Sequence, residues 1–216
     1  MSEDGATTLA PEVTLRAADP VLAGLIDRLD LIDMTRWRSR WSLDHFGALA
    51  RGIAGQQIST SAASAIFGRL QALIGDRDPA TAIAGAPDAE FRTVGLSRAK
   101  VASLRDLAAR TLDGRLQLDR VDELSDDEAR SQLTAVRGIG PWTADMFLLG
   151  QLGRSDVLPA GDLGIRRAVQ AAYGLDHLPS EGEVRTLGEA WRPYRSLATA
   201  YLYDSLWAAP PTVKDG

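Results

Sequence analysis

The sequence predicts an all-α fold. Three observations carry that prediction. Helix-start signals recur along the whole chain, apolar residues between them fall at three- and four-residue spacing, and strand-like alternation is nearly absent. Asp19-Pro20 can cap and open a helix through about Leu29, the aspartate as acceptor and the proline with its preset φ. A second helix is expected from Leu43 to about Gln56. Ser59 opens a third, with Ala63, Ile66, Leu70, Leu73 and Ile74 on one face up to Gly75. Asp78-Pro79 starts a short helix stopped at Gly85, and Pro87 begins another that ends near Gly95. Ser97 caps a helix reaching about Thr111, with Val101, Leu104, Leu107 and Ala108 along one side. Ser125 with Glu128 forms a capping box, and Ser180 with Glu183 repeats it. The final helix follows Trp191-Arg192-Pro193 and continues through Leu197, Ala200, Tyr201 and Leu206.

At 216 residues the chain can build one large core or two small domains. No cysteine is present, which excludes disulfides, thiolate nucleophiles and cysteine-held clusters or zinc sites. The two histidines, His45 and His177, belong to no metal-binding pattern and are expected at the surface or partly buried. The acidic segment at residues 1–18 reads as a flexible tail, and residues 210–216 as another. No apolar run approaches the roughly 20 residues needed to cross a bilayer, so a cytoplasmic protein without membrane contact is expected. The net charge of −5 argues against a polyanionic partner at face value. Distribution qualifies it. Acidic residues crowd between Asp113 and Glu128. Arg36, Arg38, Arg40 and Arg51, then Arg98, Lys100 and Arg105, then Arg137, Arg154, Arg166 and Arg167 recur beside the segments discussed next. One basic and one acidic face would reconcile the two; scattered solvated charges are the alternative.

Leu133 to Arg167 is the most informative stretch. Gly138-Ile139-Gly140 lies between two apolar-periodic segments, and two glycines around one apolar residue let the backbone turn sharply with amides outward, a geometry that can hold a phosphate. Pro141 opens the next helix, which continues through Trp142, Ala144, Met146, Phe147 and Leu148. Further on, Leu163 to Ala172 reads as a helix with Asp162 as its N-cap, a carboxylate held as an anion by backbone amides and the helix dipole.

These residues resemble the helix-hairpin-helix superfamily of DNA glycosylases, most closely the 3-methyladenine DNA glycosylase II, or alkylation-repair, branch. The likeness runs from about Asp19 to Trp207 and is densest in GIAGQQIS (Gly52 to Ser59), the hairpin-to-aspartate segment, and WRPYRSLATAYLY (Trp191 to Tyr203). It implies two helical lobes with the active site in the cleft between them. Residues 47–154 would form the central lobe, and 19–46 with 155–209 the other. The N-terminal β-rich domain of some members has no room here.

The resemblance also implies roles. Asp162 would be the catalytic carboxylate, stabilising an oxocarbenium-like sugar or orienting the attacking water. Trp142 stands where strand-cutting relatives carry a Schiff-base lysine, two residues past the second hairpin glycine, so a monofunctional, water-using enzyme is expected. Trp142, Tyr203 and Met146 would form the base pocket, although many relatives have tyrosine in place of Met146. Gln57, with Gln56 before it, would be the wedge that fills the gap left by an extruded base. Gly138, Ile139, Gly140 and Thr143 would grip a DNA phosphate. A monovalent cation, Na+ or K+, would sit at the backbone carbonyls of Thr134, Val136 and Ile139, and no other cofactor is required. Asp145 could pair with a nearby arginine and has no catalytic part. The expected partner is double-stranded DNA containing alkylated bases, bound by a monomer at the nucleoid. Two alternatives stand: a glycosylase of this fold acting on uracil or mismatched thymine, and a non-catalytic DNA-binding module.

Overall fold

A computed structural model describes residues 10–35 and 43–207. The tails at 1–9 and 208–216, and Arg36, Arg38 and Arg40 of the expected basic face, lie outside the described residues. Among the described residues the fold is entirely helical, with no strand, and no helix is long and apolar enough to cross a membrane.

The chain divides into two compact units, one made of Met1–Trp37 with Arg154–Gly216 and the other of Arg38–Gly153. The first crossing therefore precedes the expected 46/47 boundary. The physical reason is that His45–Gly55 is one helix, capped by Asp44 Oδ1 accepting from the Gly47 N–H at 2.6 Å, and a boundary at 46/47 would cut its first turn.

The discontinuous unit contains α1 (Pro11–Ala18), α2 (Pro20–Arg28), α10 (Leu163–Tyr173), α11 (Glu181–Gly188) and α12 (Arg195–Ser205). Helix α1 corrects the expectation of a tail through residue 18. Pro11 supplies a first-turn φ, and Leu15 is fully buried against the core, so the segment gains apolar contact that its polar composition conceals. That core is built on Leu15, Leu22, Leu25, Ile165, Val169, Trp191 and Tyr201. Asp19 is the polar node within it. Its carboxylate caps α2 through the Val21 and Leu22 amides, at 2.8 and 3.1 Å, and also accepts from Trp191 Nε1 at 2.9 Å and from the Tyr173 hydroxyl. Burial alone would raise its pKa, but these four donors outweigh burial and hold it below the usual carboxylate range. The start of α2, the end of α10 and the Trp191 turn are thereby joined at one anion.

The continuous unit runs α3 (His45–Gly55), α4 (Thr60–Ile74), α5 (Pro79–Gly85), α6 (Asp88–Val94), α7 (Arg98–Leu112), α8 (Asp126–Thr134) and α9 (Pro141–Met146). Each of Ser59, Asp78, Ser97 and Ser125 accepts the cap hydrogen bond expected of it, and Ser125 with Glu128 closes its capping box in both directions. Helix α9 opens into a wider π turn over Phe147–Gln151, where Phe147, Leu148 and Leu149 are buried. Buried Asp145 is paired with Arg130 Nε at 2.9 Å, the arginine partner expected for it.

Candidate active site

In the continuous unit, a cavity of about 650 Å³ opens beside α3 and α9, lined by Leu49, Gln56, Gln57, Trp142, Thr143 and Met146 among others. Trp142 and Met146 stand four residues apart, which places them on one face of α9. Trp142 is 49% exposed, an unusual state for so large an apolar side chain, and it presents an aromatic surface to whatever enters. The structure thus brings together two of the three expected pocket residues. Thr143 also lines this cavity, with its methyl toward Gly52 of α3.

The hairpin between α8 and α9 is fixed from outside its own helices. Gly138 has φ +79°, a left-handed conformation, and a Cβ there would lie 2.5 Å from Ser103 Oγ of α7, so only glycine fits on both counts. The Arg137 N–H donates to Asp106 Oδ2 of α7 at 2.7 Å, and Gln56 Nε2 donates to the Gly138 carbonyl at 2.8 Å. Asp106 is held in turn by Arg110 at 2.9 Å. Ile139 does not face outward as a phosphate ligand. Its side chain is 3% exposed and its N–H closes the turn onto the Val136 carbonyl at 3.1 Å. Gly140 is the extended N-cap of α9, and Pro141, which has no N–H to satisfy, opens the helix.

The two glutamines part company. Gln56 is half-buried and bound to the hairpin, whereas Gln57 is exposed with φ +58°, the one described non-glycine in the left-handed region. Its neighbour Ile58, 38% exposed, is a surface apolar residue at the same loop that the sequence reading passed over.

In the discontinuous unit, Asp162 is the N-cap of α10, its Oδ1 accepting from the Ile165 N–H at 2.8 Å. The segment leading to it is clamped to the start of α12. Arg195 holds Asp156 through Nε at 2.6 Å, Arg192 holds it at 2.8 Å, and Ser196 Oγ donates to the Arg154 carbonyl at 2.6 Å while accepting from the Val157 N–H at 3.0 Å. The WRPYRS stretch is therefore a set of clamps for the loop that leads to Asp162, with Trp191 tied to Asp19. Gly164 was missed by sequence reasoning. A Cβ there would stand 2.9 Å from Asp162 Oδ1 and 3.2 Å from Tyr203 Cε1, so glycine lets the half-buried tyrosine ring and the carboxylate share the first turn of α10. The Asp-Leu-Gly spacing was the available signal. Tyr203 and Asp162 belong to this unit, and Trp142 and Met146 to the other.

Several cations expected on a basic face are engaged internally. Lys100 Nζ donates to the Ala54 carbonyl at 2.8 Å, Arg105 to Asp88 at 2.6 Å and the Ala86 carbonyl at 2.8 Å, and Arg166 to the Pro179 carbonyl at 2.6 Å. Carbonyl oxygens at helix ends need donors, and long cationic side chains supply them. The histidines pair with carboxylates: His45 with Asp122 at 3.0 Å, and His177 with Asp176 at 2.8 Å and Glu183 at 2.9 Å.

Comparison with known proteins agrees with this arrangement. Residues 50–193 match the model of the HhH-GPD superfamily base excision DNA repair protein. DNA-3-methyladenine glycosylase 1 of Schizosaccharomyces pombe is 33% identical over 169 residues, covering 77% of this chain and 74% of that one. A probable bifunctional transcriptional activator/DNA repair enzyme AlkA of Mycobacterium tuberculosis is 32% identical over 208 residues, covering 91% of this chain but only 40% of that longer protein. Among solved structures, the S. pombe 3-methyladenine DNA glycosylase Mag1, in complex with abasic DNA, superposes with a TM-score of 0.79 at 29% identity, covering 92% of this chain and 97% of that one. A DNA-3-methyladenine glycosidase from Bacillus halodurans gives the same TM-score at 32% identity over 92% of this chain and 90% of its own. An all-helical chain with a glycine hairpin, an N-capping aspartate and these relatives belongs to the HhH-GPD superfamily of base excision DNA repair proteins, in its alkylation-repair branch.

Proposed function

We propose that the chain is a monofunctional DNA glycosylase that extrudes an alkylated purine from duplex DNA and hydrolyses its N-glycosidic bond. The observation that carries this reading is Trp142, a half-exposed indole on the cavity wall at the position where strand-cutting relatives hold their amine nucleophile. An indole cannot form a Schiff base, so water must attack the sugar and the strand is left intact. A ring-alkylated purine carries positive charge, and its stacking on an aromatic face is worth about 0.5–2 kcal/mol. Such a base is already a good leaving group, which removes the need for a strong general acid. As the bond to C1′ breaks, positive charge grows on the sugar, and the Asp162 carboxylate, pinned by the Ile165 amide, supplies the compensating anion.

The amino end of α9 and the Gly138 to Gly140 turn would hold a DNA phosphate, and Gln57 would fill the emptied stack. The monovalent cation implied by the family would be held by the carbonyls of Thr134, Val136 and Ile139. The Val136 carbonyl gives one lone pair to the Ile139 N–H and keeps the other, so this all-oxygen set fits a hard cation. When bound, it would add positive charge beside the phosphate. The names of the relatives, 3-methyladenine glycosylases in yeast and bacteria, support alkylated DNA as substrate.

The test is single-turnover release of 3-methyladenine and 7-methylguanine from alkylated duplex. Asp162→Asn is expected to lower the rate by about 10²–10³-fold. Borohydride is expected to trap no enzyme–DNA adduct. Unchanged release in the variant would defeat the role of Asp162, and a trapped adduct would defeat the monofunctional reading.

A further inference from the structure

Two adjacent glutamines with identical chemistry occupy opposite situations. Gln56 ends α3, where its own N–H reaches back to the Ile53 carbonyl at 3.4 Å and its side-chain amide reaches the Gly138 carbonyl at 2.8 Å, 82 residues away in sequence. Gln57 is exposed and left-handed at φ +58°. A β-carbon-bearing residue in that conformation is costly and persists only where its surroundings over-determine it. The Gln56 bond is the tie between this loop and the hairpin. The hairpin is in turn seated on α7 by Asp106 and by the close approach of Gly138 to Ser103.

We infer that Gln56 is a positioning residue that locks the loop carrying Gln57 onto the phosphate-gripping hairpin, so that wedge and DNA anchor move as one body. Gln56 does not itself enter the base stack, because its amide is spent on the hairpin. The inference rests on the reading of Gln57 as the wedge. Coupling the two has a mechanical consequence: once the hairpin has engaged the backbone, Gln57 stands at a set distance from the helix axis. A loop without the tie must be ordered anew at each extrusion, and the cost falls on opening a base pair rather than on chemistry within the pocket.

The experiment uses the full chain and a duplex carrying one 7-methylguanine, either opposite cytosine or opposite a tetrahydrofuran abasic analogue. The second duplex keeps its phosphates but offers no pair to break. Gln56→Met keeps the side-chain bulk without a donor. It is expected to lower single-turnover release about five- to tenfold opposite cytosine, the effect of one lost neutral hydrogen bond, and at most about twofold opposite the analogue. Gln56→Ala should show the same split, and Gln57→Ala a split at least as large. Equal losses of the Gln56 variants on both duplexes, or no loss on either, would overturn the positioning role. A split for the Gln56 variants without one for Gln57→Ala would support the tie and defeat Gln57 as the wedge. A split for Gln57→Ala alone would leave the wedge standing and defeat the tie.

Discussion

Replacing Gly164 by alanine tests the role proposed for Asp162 most directly. The added methyl would sit 2.9 Å from Asp162 Oδ1 and 3.2 Å from Tyr203 Cε1, where ordinary contact begins near 3.4 Å. The carboxylate must therefore retreat by about 0.5 Å, or the ring must tilt, and the 2.8 Å bond from the Ile165 N–H must lengthen or rotate. A misplacement of about 1 Å costs roughly 10²-fold in rate, so half of that predicts a loss of about tenfold in single-turnover base release. Stability should fall modestly. Alanine gains about 1 kcal/mol over glycine within a helix, against about 1–3 kcal/mol for overpacking, for a net loss of about 0–2 kcal/mol. The assay pairs single-turnover release with the Kd for an abasic-analogue duplex and a thermal melt. Full activity in Gly164→Ala, or a rate loss matched by an equal loss of affinity, would refute the idea that glycine keeps this carboxylate in place.

Three further outcomes are expected. Trp142→Ala should reduce excision of cationic purines by about three- to thirtyfold, the worth of one ring-stacking contact, with a smaller effect on undamaged DNA; equal losses in both measurements would contradict a pocket wall. Gly138→Ala, forced into φ +79° with Ser103 Oγ at 2.5 Å from the new methyl, should lose about 2–4 kcal/mol in chemical denaturation, and Ser103→Gly in the same chain should restore part of it. Asp19→Asn should lose about 1–3 kcal/mol at neutral pH, since an amide cannot accept from all four donors as an anion does. Because the pKa of Asp19 is held down in the fold, its contribution is complete above the unfolded value near 3.8 and is lost as the pH falls through the lower folded value. Acid titration of stability should accordingly be flatter in Asp19→Asn than in the parent over that window, and superimposable profiles would show that the network does not titrate as described.

Legibility followed distance along the chain. Helix starts at Asp19, Ser59, Ser97, Ser125, Asp162 and Ser180 were readable because a cap and its amide lie within three residues. Helix α1 escaped notice because what stabilises it, the burial of Leu15, depends on α12 and other elements supplied from far along the chain. The family motifs pointed to Asp162, Trp142 and Met146, yet gave no indication that Gln56 serves the hairpin, that Ile139 faces inward, or that Gly164 makes room for Tyr203. The first and last are contacts between residues 82 and 39 positions apart, the burial of Ile139 depends on packing, and neither periodicity nor local spacing encodes them. Charge behaved likewise. Lys100, Arg105 and Arg166 look free in a linear reading but terminate helices and turns in three dimensions.

The seating of the hairpin on Asp106, Ser103 and Gln56 bears on how such motifs travel between proteins. Two helices and a glycine turn, cut out at 125–151 and transplanted into another scaffold, would leave behind the acceptor for the Arg137 amide, the donor to the Gly138 carbonyl and the surface against which Gly138 rests. The motif is then not a portable module but the visible part of an assembly held at three outside points. A graft, a chimera or a sequence search that keeps only the glycines will preserve the spelling and lose the shape, unless α3 and α7 come with it.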